Sequence, residues 1–78
     1  MDLEEIKNLL NKALTDCDIR IESEGSHVTV TAIGNVFEGK RAVQRQQLVY
    51  GALNEHIASG AIHAVNMQLY TLDEWQAA

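Results

Sequence analysis

Residues 62–75 read IHAVNMQLYTLDEW, and this stretch decides how the second half of the chain folds. In it the apolar residues Val65, Met67 and Leu69 alternate with small or polar residues. Such a period of two predicts a strand with one buried face. His63 has the same parity as these apolar residues. We therefore expect its ring to point toward the helical layer while lying at an accessible strand end.

Two pairs of polar residues, each spaced three apart, predict the starts of the first and the last helix. Thr71 and Glu74 are spaced as a capping box, which predicts a short C-terminal helix. Asp2 and Glu5 have the same spacing, and the apolar stripe that follows predicts a helix over residues 3–14.

The middle of the chain predicts a hairpin and then a long helical region. Residues 18–23 and 28–32 alternate apolar and polar side chains around a turn at 24–26, as in a β-hairpin. Helix then resumes and ends near Gly60, which suits a C-terminal cap. Its predicted buried face consists of Ala42, Val43, Leu48, Val49, Ala52, Leu53 and Ile57. The order of elements predicts a two-layer α+β sandwich.

The length and composition of the chain limit its size, its core and its expected location. With 78 residues the chain has room for one small domain, and its core must come mainly from aliphatic side chains. We expect the two large aromatics Phe37 and Trp75 to be structural. No apolar run approaches the roughly 20 residues of a membrane span, and the N-terminus lacks the features of a signal peptide. Cys17 is the only cysteine, so a cytoplasmic, reducing environment is expected.

Three segments together resemble the BolA family: Phe37-Glu38-Gly39, the run 45–50 (RQQLVY), and the His-Ala strand that begins at His63. The resemblance runs from about His27 to Trp75, and residues 26–27 and 49–51 are similar to its IbaG or YrbA subgroup. It implies a single domain over residues 1–78 with an αββααβ arrangement like the class II KH fold. It further implies a three-stranded mixed sheet, and a short helix near residues 40–45 ahead of a longer one.

His63 is the first candidate ligand. Judged by spacing alone, a lone histidine here is a partly buried packing residue. The resemblance implies instead that it ligates iron. A [2Fe–2S] cluster needs about four ligands, and this chain has one cysteine. The resemblance therefore implies a cluster shared with a monothiol glutaredoxin, which contributes its own cysteine and a glutathione.

The second ligand is less determined. His27 ends the hairpin turn with a parity that predicts exposure, so ligation and an ordinary surface role both stay open. Cys17 is the fallback, since the neighbouring Asp16 and Asp18 favour a half-buried, unreactive thiol. His56, on the long helix, is expected on a solvated face.

The basic residues Lys40, Arg41 and Arg45 cluster in one window of a chain whose net charge is −5. They suit a docking edge for an acidic partner, a nucleic-acid contact, or simply a solvated helix start. Residues 39–42 supply only the first glycine of the GXXG loop with which KH domains clamp RNA.

No catalytic arrangement is recognisable in the sequence. The function we expect is therefore an adaptor in iron–sulfur trafficking or iron sensing, with a DNA-binding regulator of the stress response as the alternative. The remaining candidate partner is a second copy of this chain, in a weak homodimer.

Overall fold

The structure is a computed structural model, and it describes residues 2–77. The helices are α1 (Leu3–Ala13), α2 (Ala42–Ala58) and α3 (Leu72–Ala77), and the strands are β1 (Cys17–Glu24), β2 (His27–Gly34) and β3 (Ala64–Tyr70). A single 3-10 turn, Asn35–Phe37, follows β2. Within the described residues, none of the helices has the length and apolar character needed to span a bilayer.

The strands form one mixed sheet in the order β1-β2-β3. β1 and β2 pair antiparallel around a turn in which Gly25 has φ +61°, a conformation that favours glycine. β2 and β3 pair parallel, with His27 opposite Ala64 and Ile33 opposite Tyr70. α2 connects the two parallel strands, as such a pair requires. The predicted α+β class, mixed three-stranded sheet and C-terminal helix are confirmed.

One side of the sheet carries α1 and α2, and the core lies between these layers. Fully buried side chains come from α1, β2, the 3-10 turn and α2: Ile6, Leu10, Val28, Val30, Ala32, Phe37, Val49 and Leu53. β3 contributes partly buried side chains that pack against them: Val65, Met67 and Leu69. β2, the central strand, is buried at every second residue from Val28 to Ala32, as its alternation predicted. Phe37 is buried as expected.

The predicted division of the helical region is misplaced. The short helical element is the 3-10 turn Asn35–Phe37, and α2 runs without a break from Ala42. Gly39 turns the chain with φ +71°, and Arg41 is extended. The Arg41 N–H then donates to the Gln44 side-chain oxygen at 2.9 Å. Residues near 40–45 therefore start the long helix because a side-chain cap begins it there.

The predicted buried face of α2 is wrong at its first two members. Val43 is 63% exposed and Ala42 is exposed as well. Val43 stands six residues before the buried Val49, which places it about 120° around the helix. The stripe through Leu53 and Val49 reaches Arg45 instead.

Of the two predicted capping boxes, one is present and the other is incomplete. In the second capping box, Glu74 N–H donates to Thr71 Oγ1 at 3.1 Å and Thr71 N–H to Glu74 Oε1 at 2.8 Å, as predicted. At α1, Asp2 accepts from Glu4 N–H at 3.0 Å, whereas the Glu5 carboxylate lies toward α2. The first box is therefore a single N-cap.

Trp75 does not belong to the core. Trp75 is 38% exposed, and its ring centroid lies 5.5 Å from that of Tyr70. The Arg20 guanidinium carbon lies 5.3 Å from the Trp75 centroid. Trp75 packs outside the core because α3 is short and lies against β2 and β3. Its structural role stays a prediction.

Candidate metal-ligand site

His63 lies in the turn between α2 and β3. Its backbone N–H donates to the Ser26 carbonyl at 2.9 Å, and the preceding Ile62 is 2% exposed. Gly60 has φ +82°, and a Cβ there would lie 3.8 Å from His63 Nε2. A buried anchor and a tight turn thus hold the residue one position before the strand, while its side chain stays exposed.

An open groove adjoins the imidazole. It has a volume of about 400 Å³ and is lined by Tyr50, Ile57, Ile62, His63, Ala64 and Val65. Apart from the Tyr50 hydroxyl and the imidazole, the lining side-chain atoms are apolar. A group bound at His63 would therefore lie beside an apolar surface, which suits contact with a second protein.

His27 is adjacent to His63 through the backbone only. The register places His27 opposite Ala64, and its side chain is exposed as predicted. It lines a separate depression together with Glu24. The structure therefore brings the two candidate residues to the same end of the sheet but places their rings in different depressions.

Cys17 lies at the other end of the hairpin. It pairs with Gly34, seven residues along β2 from His27, which corresponds to about 23 Å. Its thiol is half-buried, and a Cβ at Gly34 would lie 2.6 Å from Cys17 Sγ. Burial, and then the charge of Asp16, raise the pKa of this thiol. Cys17 as a fallback ligand beside His63 is therefore wrong for one chain, because no side chain spans that distance.

The described residues do not supply a complete ligand set. Across residues 2–77, no group of three or more His, Cys, Asp or Glu side chains converges on one point. Iron–sulfur clusters need about four ligands. A cluster bound at His63 would consequently need most of its ligands from another protein.

Arg45, one of the three predicted docking residues, is already engaged. Its guanidinium donates to Glu74 Oε1 at 2.6 Å and to the Leu69 carbonyl at 3.1 Å, and its Nε donates to the Lys40 carbonyl at 2.9 Å. Hydrogen bonds from Arg45 and from the Thr71 backbone lower the pKa of Glu74 to about 2. Arg45 therefore ties α2 to β3 and α3 and does not offer a free charge.

Lys40 and Arg41 remain as the basic edge. Within residues 2–77 neither makes an ion pair, and Arg41 is exposed. Lys40 lines a groove with Ala42, Arg45, Gln46, Met67, Leu69 and Glu74. Since that groove adjoins Leu69 and His63 precedes the first residue of β3, the basic edge lies about 20 Å from His63 along the strand.

His56 was misassigned to a solvated face. Its side chain is 21% exposed, its Nε2 lies 3.6 Å from Glu5 Oε1, and its buried Nδ1 has no hydrogen-bond partner among the described residues. The signal was present in the helical period, because His56 follows Val49 by seven residues and Leu53 by three. It lies between α1 and α2, away from the His63 groove.

Comparisons with known proteins agree with one another. The family model described as BolA-like protein matches residues 5–74. The acid stress protein IbaG of Escherichia coli is 43% identical over 75 residues, covering 96% of this chain and 89% of the relative. The structure of a bolA protein homologue from Coxiella burnetii superposes with a TM-score of 0.80 at 32% identity, covering 97% of each chain. The DNA-binding transcriptional regulator BolA of Escherichia coli is 31% identical over 51 residues, covering 65% of this chain and 48% of that one.

Proposed function

This chain belongs to the BolA-like protein family, and on that premise we propose that it is an adaptor that binds a monothiol glutaredoxin and shares or receives a [2Fe–2S] cluster. Its role would lie in iron–sulfur trafficking or iron sensing in the cytoplasm. The cluster is cargo held between two proteins, and the chain performs no catalysis of its own. The name of the acid stress relative is consistent with a role under stress.

The observation that carries this proposal is the exposed imidazole of His63 on a fixed backbone beside an apolar groove. A ligand that must meet a partner's cluster has to be accessible, and it gains from being held in place by buried neighbours. Ile62 and the hydrogen bond to Ser26 supply that support. The groove offers the partner apolar contact area next to the ligand.

The ligand count favours a shared cluster over a resident one. Cys17 lies about 23 Å away along the hairpin, so His63 has no thiolate from its own chain. His27 is our proposed second ligand, because its backbone lies next to that of Ala64 and a partner approaching this end of the sheet would reach both histidines. Thiolates would come from the glutaredoxin and its glutathione, and an imidazole ligand would raise the cluster's reduction potential.

The test is to mix the purified protein with a cluster-loaded monothiol glutaredoxin and to record absorption and circular dichroism spectra together with mass in solution. We expect a complex of one copy of each protein with a spectrum that differs from that of the glutaredoxin alone. The isolated protein, reconstituted with iron and sulfide, should stay colourless after gel filtration. A stable coloured monomer of this chain alone would contradict the shared-cluster proposal.

A second function, DNA binding, is favoured by the basic edge. Lys40 and Arg41 follow the exposed Gly39 turn without ion-pair partners in the described residues, and one relative is named as a DNA-binding regulator. The net charge of −5 and the missing second glycine of a GXXG loop oppose it. Binding of a DNA duplex at physiological salt that falls steeply with added salt, and less steeply in the Lys40→Ala/Arg41→Ala variant, would favour this function.

A further inference from the structure

The two edges of the sheet differ in charge. At neutral pH β1 carries four charged side chains, Asp18, Arg20, Glu22 and Glu24, whereas β3 carries none. Charges on an edge strand oppose pairing with another chain, and natural sheets use them for that purpose. β1 is therefore protected and β3 is open to strand addition.

Arg45 closes only the last part of the β3 edge. Its guanidinium bonds the Leu69 carbonyl, so the run left open is residues 64–68, a length of about 16 Å. The centre of this run is Asn66, which is exposed. The α2 flank above it carries two exposed apolar side chains on either side of the exposed Gln46. Tyr50, at 45% exposure, lines the same groove as Ala64, and Val43 lies two turns earlier.

We propose that β3 is a self-association edge, along which two copies of this chain pair antiparallel about a twofold axis at Asn66. This register places Val65 opposite Met67 of the second copy on the helix side of the sheet. On the other side it places Ala64 opposite Gln68 and Asn66 opposite Asn66. On the helix side apolar side chains therefore meet apolar ones, and no like charges meet along the paired run despite the net charge of each copy.

A second copy is the favoured occupant because the strand is self-complementary under this operation. The twofold axis also places the two α2 helices antiparallel, an arrangement in which their dipoles attract each other. Val43 and Tyr50 of one copy then face the α2 flank of the other. Since the paired run is short, the contact belongs to the small, weak class of interfaces. We therefore expect dimers at high micromolar to millimolar concentration.

The pairing has a consequence for His63. Ala64 would lie against Gln68 of the second copy, so the groove beside the imidazole would be covered. Self-association and heteropartner binding would then exclude each other. This consequence rests on the proposed function, whereas the pairing itself does not.

The experiment measures sedimentation velocity across concentration for wild type, Asn66→Asp and Asn66→Lys, with no glutaredoxin or iron present. In a dimer of either variant, two like charges lie opposite one another at the twofold axis. The dissociation constant of each variant's dimer should therefore be about fivefold higher than that of wild type. An equimolar mixture of the two variants should recover association by forming the mixed pair. The matched controls are Asn8→Asp and Asn8→Lys, the same changes at an exposed residue of α1, the helix that packs against β1 and α2.

Circular dichroism and thermal unfolding establish that the Asn66 variants stay folded, as an exposed side chain predicts. Variants that associate like wild type, or a wild type that stays monomeric at millimolar concentration, would overturn the proposal. Amide chemical shifts identify any other occupant. If residues 64–68 shift on adding glutaredoxin or a DNA duplex while the free protein stays monomeric, the edge serves a heteropartner and the self-pairing is wrong. Because cluster transfer is measured separately, either proposal can fail alone.

Discussion

Replacing Ile62 by alanine should destabilise the domain and release His63 from its position. Ile62 is 2% exposed, lies in the core cluster, and its N–H donates to the His56 carbonyl at 3.2 Å. Truncating a buried isoleucine to alanine costs about 2–5 kcal/mol, and to valine about 0.5–1.5 kcal/mol. A chain of 78 residues has a free energy of unfolding of about 4–12 kcal/mol. The alanine variant therefore loses a large share of its stability.

Urea unfolding followed by far-UV circular dichroism measures this loss as a lower midpoint at an unchanged slope. Ile62→Val is the matched control, since it keeps the branched side chain and should stay near wild type. In the complex with glutaredoxin, Ile62→Ala should also weaken cluster retention at temperatures where it is still folded. If Ile62→Ala costs no more than Ile62→Val, Ile62 does not anchor this turn.

Other predictions follow from the same structure. Phe37→Ala should cost about 3–5 kcal/mol in urea unfolding and Trp75→Ala clearly less, because only the former is fully buried; equal losses would contradict this. Since the pKa of Glu74 is lowered from 4.5 to about 2, its contribution to stability is complete above pH 4.5 and is lost as the pH falls toward 2. Glu74→Gln should flatten the pH dependence of unfolding in that window, and an unchanged profile would refute the assignment. Lys40→Ala/Arg41→Ala should slow association with glutaredoxin in stopped-flow measurements without altering the cluster spectrum, and a changed spectrum would place the basic edge at the cluster.

Local patterns in the sequence predicted the elements well. The alternation in β2 and β3 fixes which side chains face the helices, because a strand has a period of two whatever its neighbours are. The Thr71 and Glu74 capping box formed as predicted because its partners lie three residues apart. Such contacts need no knowledge of the tertiary structure.

Three of the errors concern residues whose environment depends on distant parts of the chain. Arg45 is engaged by Leu69 and Glu74, more than twenty residues away, so its spacing next to Lys40 carried no sign of this. Trp75 is exposed because α3 lies outside the helical layer, which hydrophobicity alone does not reveal. The separation of Cys17 from the histidines follows from the hairpin register, a long-range property.

Of the candidate site, the sequence predicted the accessibility of His63 but not the position of the His27 ring. The sequence indicated an accessible His63, and the exposed side chain is present at the end of the sheet. That the ring of His27 occupies a different depression depends on the parallel pairing of β2 and β3. Its role as second ligand stays a prediction.

Whether His63 ligates the cluster is tested by the spectrum and cluster retention of the mixed complex formed with His63→Ala. We predict that the variant folds like wild type, since its side chain is exposed, but alters the spectrum or loses the cluster faster, because one of about four ligands is gone. His27→Ala should have a comparable effect if it is the second ligand and a smaller one if it is a neighbour. Cys17→Ser should do little. A His63→Ala complex with the wild-type spectrum and retention, alongside a Cys17→Ser complex that has lost both, would show that His63 is a packing residue and not a cluster ligand.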